Sequence, residues 1–259
     1  MWIALTRPPS VRLAEGERTF VARQPIDIAR ALRQHADYCS VLERLGVQVV
    51  RLDKDDALAD SVFIEDAAVV LDELAVIARF GVPSRQPETA LVQSCLQQWL
   101  PTIPILPPGT LEGGDVLRVG RRLWVGRSLR TNAEGISQLR RTVEPLGYQV
   151  TEVPVQGCLH LKTACTALPS GQLLVQPEWI DVTCLPPGWL PVPDEEPWGA
   201  NVLSIAGEVL VPAAHRRTAR MLEENGYRVH RVEIDELAKA EAGVTCLALC
   251  WRLDRSPRR

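Results

Sequence analysis

One phrase occurs three times in the chain: "LERLGVQVVRL" around Gly46, "VEPLGYQVTEV" around Gly147 and "LEENGYRVHRV" around Gly226. Each reads as the end of a helix, a glycine that reverses the chain, and an alternating strand. The helices that feed them are apolar on one side. Ile28, Leu32, Cys39, Leu42 and Leu45 share a face of the first, and Ile136, Leu139, Val143 and Leu146 a face of the one before Gly147. Such helices cover a sheet from one side.

Between these phrases lie paired apolar runs about a short polar or glycine turn: "AAVVLDELAVIAR", "DVLRVGRRLWVGRS", "TALPSGQLLVQ" and "NVLSIAGEVLVPA". A fifth pair forms if the terminal "CLALCWRL" meets the N-terminal "WIALTR". Gly46 and Gly147 are about two periods of roughly 50 residues apart, and Gly147 and Gly226 somewhat less. Intermediate copies then fall near "LPTIPIL" and the Pro-rich stretch 184–193. The repeating unit is strand, strand, helix, strand, five times over. An ordinary α+β domain with coincidental helix–Gly–strand junctions is the competing reading, and recurrence of the phrase with its flanking hairpins favours the repeat. Units unable to bury themselves alone must stack or close. The expected fold is α+β, a five-bladed α/β-propeller with helices outside, formed by residues 1–259 as a single catalytic domain.

The 259 residues, 46% hydrophobic and 24% charged, are enough for a sizeable core. With 29 Lys and Arg against 32 Asp and Glu there is no basic excess to attract nucleic acid or an anionic membrane, so the expected partner is small. No leader pattern opens the chain, and no apolar run approaches the roughly 20 residues of a membrane span. A cytoplasmic location is expected. Seven cysteines form no CxxC pair and four histidines are too scattered for a zinc cluster, so most thiols should be reduced, buried and inert.

"SVFIEDAAVV" breaks the pattern, because Glu65 and Asp66 sit inside an apolar run with Asp60 just upstream. In a symmetric ring the entries to the first strands carry Glu65 and Asp66, Glu112 and Asp115, His160, Asn201, and Cys246 around a central mouth. Cys246, His160 and Glu112 supply a nucleophile, an acid/base and a carboxylate to orient the imidazole. Singly, each has a plainer reading: a core cysteine, a structural histidine, a turn carboxylate. The acidic cluster reads as a solvated loop, a metal site or a cation site; a neighbouring thiol argues against Mg²⁺. A guanidinium or amidinium fits best, its planar N–H donors matching carboxylates. Arg85 in "GVPSRQPE" and Arg130 in "GRSLRTNAEG" follow second strands and suit an α-carboxylate, although a surface role is the default for an arginine.

Taken in order, "DSVFIEDAAVV", "GVPSRQPE", "LEGGDVL", "GRSLRTNAEG", "CLHLKT", "GANV" and "GVTC" resemble the dimethylarginine dimethylaminohydrolases. These belong to the guanidine-modifying enzyme superfamily of five-bladed α/β-propeller, or pentein, fold. The resemblance implies Cys246 as nucleophile, His160 as general acid/base and Glu112 as its acidic partner. It implies Glu65 and Asp66 as guanidinium ligands, Asp60 as a contact to the amino-acid end, and Arg85 and Arg130 as carboxylate ligands. The loop "RPPSVRLAEGER" resembles the substrate-covering lid, with Leu13 as its contact. Cys250 has no counterpart; it should lie on the same strand face as Cys246, deeper in the core.

The reaction so implied converts an Nω-methylated L-arginine to L-citrulline and methylamine or dimethylamine through a covalent thiouronium on Cys246, with no cofactor and no metal. A homodimer is plausible from the family alone. The alternatives are arginine deiminase, agmatine deiminase or an amidinotransferase, and, from a different class, a non-catalytic binding protein of the same fold. The chain has no room for the extra helical domain typical of arginine deiminases, and two carboxylate-binding arginines argue against agmatine.

Overall fold

The computed structural model describes residues 1–253. From β1 (Trp2–Thr6) the chain passes through α1 (Ile28–Arg44) and returns as β2 (Gln48–Arg51), parallel to β1. The next unit is β3 (Ala68–Val70), β4 (Ala75–Ile77), α2 (Glu88–Leu96) and β5 (Thr102–Pro104). The third is β6 (Val116–Val119), β7 (Arg122–Arg127), α3 (Ala133–Val143) and β8 (Gln149–Pro154). A single turn, α4 (Leu161–Ala164), leads into β9 (Cys165–Ala167), β10 (Leu173–Val175) and β11 (Leu190–Pro191). Then follow β12 (Leu203–Ile205), β13 (Glu208–Pro212), α5 (Arg216–Glu224), β14 (Val229–Val232), the short α6 (Asp235–Ala238) and β15 (Leu249–Arg252).

In every sheet the inner strand runs antiparallel to the middle one, which pairs in parallel with the outer one. The chain ends complete one of these sheets, with Trp2 opposite Arg252 and Leu5 opposite Leu249. The inner strands β3, β6, β9, β12 and β15 surround a cavity of about 980 Å³, reached by Val70, Leu117, Thr166, Ser204 and Cys250. That closure is the ring the repeats predict. Among the described residues no helix is long and apolar enough to cross a membrane.

Local chemistry explains the joints. Gly46, Gly147 and Gly226 have φ of +77°, +87° and +85°, a left-handed backbone that other residues adopt at a cost. Asp27 caps α1 by accepting the Arg30 N–H, and Asn132 caps α3 by accepting the Gly135 N–H. In α1 the buried stripe is Ala31, Gln34, His35, Tyr38, Cys39, Val41 and Leu42, so two polar side chains share the face assigned from apolar spacing. Leu42 is fully buried, and truncating it to alanine should cost ~2–5 kcal/mol.

The fourth unit departs from the repeat. No α-helix joins β10 to β11; the chain makes short 3-10 turns at Pro177–Trp179 and Val182–Cys184. Pro177, Pro186 and Pro187 remove the N–H donors a helix needs. Tryptophans cover the gap: Trp124 donates to the Cys184 carbonyl at 3.1 Å, and Trp179 packs edge-on against Trp198.

Candidate active site

The segments that precede the inner strands converge. They are the turn Ile64–Ala67 before β3, Gly113–Asp115 before β6, His160 at the start of α4, Asn201 before β12, and the turn at 243–247 before β15. Two consecutive glycines permit the approach of three of them. A Cβ on Gly113 would lie 2.0 Å from the Glu65 carbonyl oxygen, and one on Gly114 2.7 Å from both His160 Nδ1 and Asp66 Oδ1. Gly114 instead donates its N–H to Asp66 at 3.1 Å.

His160 lies between carboxylates. Its Nε2 is 2.8 Å from Glu112 Oε2 and its Nδ1 3.8 Å from Asp66 Oδ1. Burial favours the neutral ring, yet Asp66, Asp115 and Glu112 outweigh it and raise the pKa to about 9. At neutral pH the group is an imidazolium, with both nitrogens donors. Burial works against the Asp66 anion as well, but His160 and Arg85 hold its pKa below the usual value.

Arg85 stands inside this cluster. Its Nη1 is 3.0 Å from Asp66 and 3.5 Å from Glu112, while Nε and Nη2 donate to Glu88 at 3.1 and 2.9 Å. The guanidinium also lies over the Phe80 ring, 4.4 Å from its centroid. Burial pushes Glu88 up to about 7 despite Arg85. Arg130 differs: its Nη1 lies 3.9 Å from Glu112 Oε1, and neither of these two buried atoms has a hydrogen-bond partner. Asp66, Glu112 and His160 offer ligand atoms within 4.8 Å of one another, a spacing that suits a metal ion. The Arg85 guanidinium already supplies a cation to two of them.

Glu65 faces the other way. One oxygen accepts from Lys162 Nζ and the other from the Thr245 hydroxyl at 2.7 Å. Asn201 braces that corner, donating to Thr245 Oγ1 and to the Lys162 carbonyl and accepting the Thr245 N–H. Cys246 follows directly; its sulfur accepts the Gly243 N–H at 3.4 Å and its carbonyl the Glu65 N–H at 3.3 Å. Burial, then Glu65 and Asp66, push its thiol up to about 12, with Gly243 and Lys162 acting in the opposite sense. The sulfur therefore carries its proton at neutral pH.

Cys246 lies in the turn before β15, whereas Cys250 lies within β15. The expected shared strand face does not exist. Cys250 lines the central cavity with Glu65, Lys162 and Thr245, a lining that includes neither Asp66 nor Cys246.

The N-terminal loop folds over Asp60. Leu13, the expected lid contact, is fully buried in the apolar cluster with Tyr38, Val62 and Phe63, because its side chain finds a core there. Glu17 and Arg18 are the loop residues that reach Asp60: the Glu17 N–H donates to Oδ2 at 2.9 Å, and Arg18 Nη1 lies 3.7 Å from Oδ1. Arg18 also donates to the carbonyls of Leu13 and Lys239, and Glu241 accepts the N–H groups of Thr19 and Phe20. Asp60 Oδ1 has no hydrogen-bond partner.

A family model described as "N,N dimethylarginine dimethylhydrolase, eukaryotic" matches residues 17–182. The N(G),N(G)-dimethylarginine dimethylaminohydrolase of Streptomyces coelicolor is 44% identical over 256 residues, 96% of each chain. The chain belongs to the dimethylarginine dimethylaminohydrolase family. A dimethylarginine dimethylaminohydrolase from Pseudomonas aeruginosa, solved as a cysteine-to-serine variant with citrulline, superposes with a TM-score of 0.90 at 32% identity, covering 96% of this chain and 98% of that one. A histidine-to-glycine variant of a dimethylarginine dimethylaminohydrolase, as an adduct with S-methyl-L-thiocitrulline, gives 0.87 at 31% identity over 96% and 99%. The five-sheet ring of this dimethylarginine dimethylaminohydrolase family member is thus the pentein α/β-propeller.

The repeat places Asp115 on the rim, but spacing alone does not reveal Lys162, Thr245, Glu88, Glu17 or Arg18. Lys162 stands two residues after His160 and Thr245 one before Cys246, so both were inside quoted motifs. Glu88 is three residues beyond Arg85, a helical ion-pair spacing readable from the sequence.

Proposed function

We propose that this enzyme hydrolyses Nω-methylated L-arginine to L-citrulline and methylamine or dimethylamine. One observation carries the reading: Asp66, an acceptor for a guanidinium, lies between protonated His160 and Arg85, and its charge, with that of Glu65, acts on the Cys246 thiol.

Asp66 fixes the guanidinium plane, and Glu65, locked to Lys162 and Thr245, adds negative charge from below. The incoming cation offsets the field of these carboxylates on Cys246 and favours its thiolate, the thiol proton passing to solvent because His160 is already protonated. Sulfur attacks the guanidinium carbon. As the bond from that carbon to the methylated nitrogen breaks, His160 delivers its proton to the departing amine, leaving an S-alkylthiouronium. Neutral His160 next takes a proton from a water that enters in place of the amine. The water oxygen adds to the same carbon, and the C–S bond breaks as the hydroxyl proton passes to the departing sulfur, so citrulline leaves with His160 protonated and the Cys246 thiol restored.

With Nε2 turned to Glu112, Nδ1 on the Asp66 side is the nitrogen that moves the proton. The substrate carboxylate falls to Arg130, whose Nη1 makes no hydrogen bond, with Arg85 contributing charge beside it. Asp60 and the lid residues Glu17 and Arg18 take the amino end. Citrulline colorimetry on the purified protein with methylarginine, arginine and agmatine is the test. Citrulline from methylarginine supports the reading, and its absence ends it.

A further inference from the structure

Asp115 has no role in the chemistry above, yet it is fully buried and engages a loop of its own blade and a loop of the next. Its Oδ1 accepts the Leu161 N–H at 2.9 Å, one residue beyond His160. Its Oδ2 accepts the Ser128 hydroxyl at 2.7 Å. The Ser128 oxygen accepts in turn the N–H groups of Arg130 at 3.0 Å and Thr131 at 3.2 Å. Thr131 Oγ1 accepts the Glu112 N–H at 3.1 Å, which closes the circuit on Asp115's own turn.

We propose that Asp115 is a positioning residue of the reaction: through Leu161 and Ser128 it registers the His160 loop and the Arg130 loop against Glu112, and its charge holds the proton on His160. The inference rests on the function proposed above. Shape on its own would be met by a neutral residue here, and burial opposes the anion, pushing Asp115 up to about 6. His160, Ser128, Thr131 and the Leu161 N–H act against that rise, and the carboxylate stays ionised at neutral pH. Gly126 leaves room for it, since a Cβ there would lie 2.5 Å from Asp115 Oδ1.

The charge reaches His160 together with those of Asp66 and Glu112. Arg85 sits against both of these carboxylates, Arg130 against Glu112, and Lys162 two residues along the same turn. Removing one of three nearby anions weakens the imidazolium without unpairing it from Glu112. A brace with no electrical role would leave the titration where it is.

Asp115→Asn and Ser128→Ala separate the two links. In the free protein, the NMR titration of the His160 imidazole, assigned by its loss in His160→Ala, should fall by about one pH unit in Asp115→Asn. The alkaline limb of kcat/KM should move with it. Ser128→Ala keeps the carboxylate and the Leu161 contact. It should raise KM for methylarginine about tenfold, through the loosened Arg130 loop, with the His160 titration unmoved. Titration and pH profile unchanged in a folded Asp115→Asn protein would overturn the electrical half, and unchanged KM in Ser128→Ala the Arg130 half. If Asp115→Asn does not fold, the KM-against-kcat split of Ser128→Ala decides the Arg130 half, and the His160 titration in Asp115→Ser decides the electrical half by the same criterion. The titration needs no turnover, so a wild type inactive on methylarginine would refute the proposed function while the coupling of Asp115 to His160 is still read.

Discussion

The imidazole of His160 and the carboxylate of Glu112 meet at 2.8 Å with both side chains buried, so the carboxylate favours the protonated ring. Replacing Glu112 by Gln keeps the shape and removes a charge that helps hold the His160 pKa near 9. The histidine then loses its proton at lower pH. Because expulsion of the amine uses that proton, the alkaline limb of the pH–rate profile should move to lower pH and kcat should fall about tenfold or more. The same raised pKa means that protonated His160 adds to folding stability fully below about 6.5 and progressively less as pH rises through about 9. An unmoved profile in Glu112→Gln would remove Glu112 from the proton transfer.

Cys246→Ser and His160→Ala should each lose most turnover, because a serine hydroxyl is a far poorer nucleophile and no neighbouring group replaces the imidazole. Cys250→Ala should keep it, since that thiol lines the central cavity, whose lining includes none of Asp66, Glu112, His160 and Cys246. Mass spectrometry of trapped enzyme should place the substrate-derived mass on Cys246. Serine activity within about tenfold of wild type would end the covalent reading.

The lid yields a steric prediction. A Cβ at position 16 would sit 2.0 Å from Asp60 Oδ1, so Gly16→Ala must turn the carboxylate or lift the loop. Either change disturbs the amino-acid end and leaves the guanidine end in place. KM for methylarginine should rise with a smaller effect on kcat. Equal losses in kcat and kcat/KM would show that the loop acts at the reacting carbon instead.

Much of the ring was legible because each repeat ends a helix on a glycine and follows it with an alternating strand, a signal carried by local conformation. The fourth unit escaped because its prolines replace a helix with turns. Leu13 was assigned to the lid from the order of motifs, but the loop has no periodicity to show which side chain turns inward. Asp66, Glu112 and His160 share a rim through equivalent places in the repeat. What repetition could not convey was which way each side chain faces: Glu65 turns to Lys162 and Asp66 to Arg85, although the two are adjacent. Pairings across blades, such as Asp115 with Leu161, are contacts of the closed ring and leave no trace in spacing.

Substrate choice tests the whole site. Removing a partner from a buried, hydrogen-bonded charge typically costs ~2–5 kcal/mol, or tens to thousands of fold. Asp66→Ala should therefore lower kcat/KM sharply for every guanidine substrate. Arg85→Ala should do the same and destabilise the fold by ~3–5 kcal/mol, because Asp66 and Glu88 lose a shared, buried counter-ion. Arg130 reaches Glu112 only at 3.9 Å, so Arg130→Ala should spare the fold and raise KM for methylarginine, with little penalty for a guanidine lacking a carboxylate. The wild type should turn methylated arginine into citrulline faster than it turns arginine, and scarcely touch agmatine, which has no carboxylate for Arg130. If arginine has the higher kcat/KM, the reaction belongs to a different guanidine-modifying enzyme; if agmatine rivals methylarginine, Arg130 does not read the carboxylate.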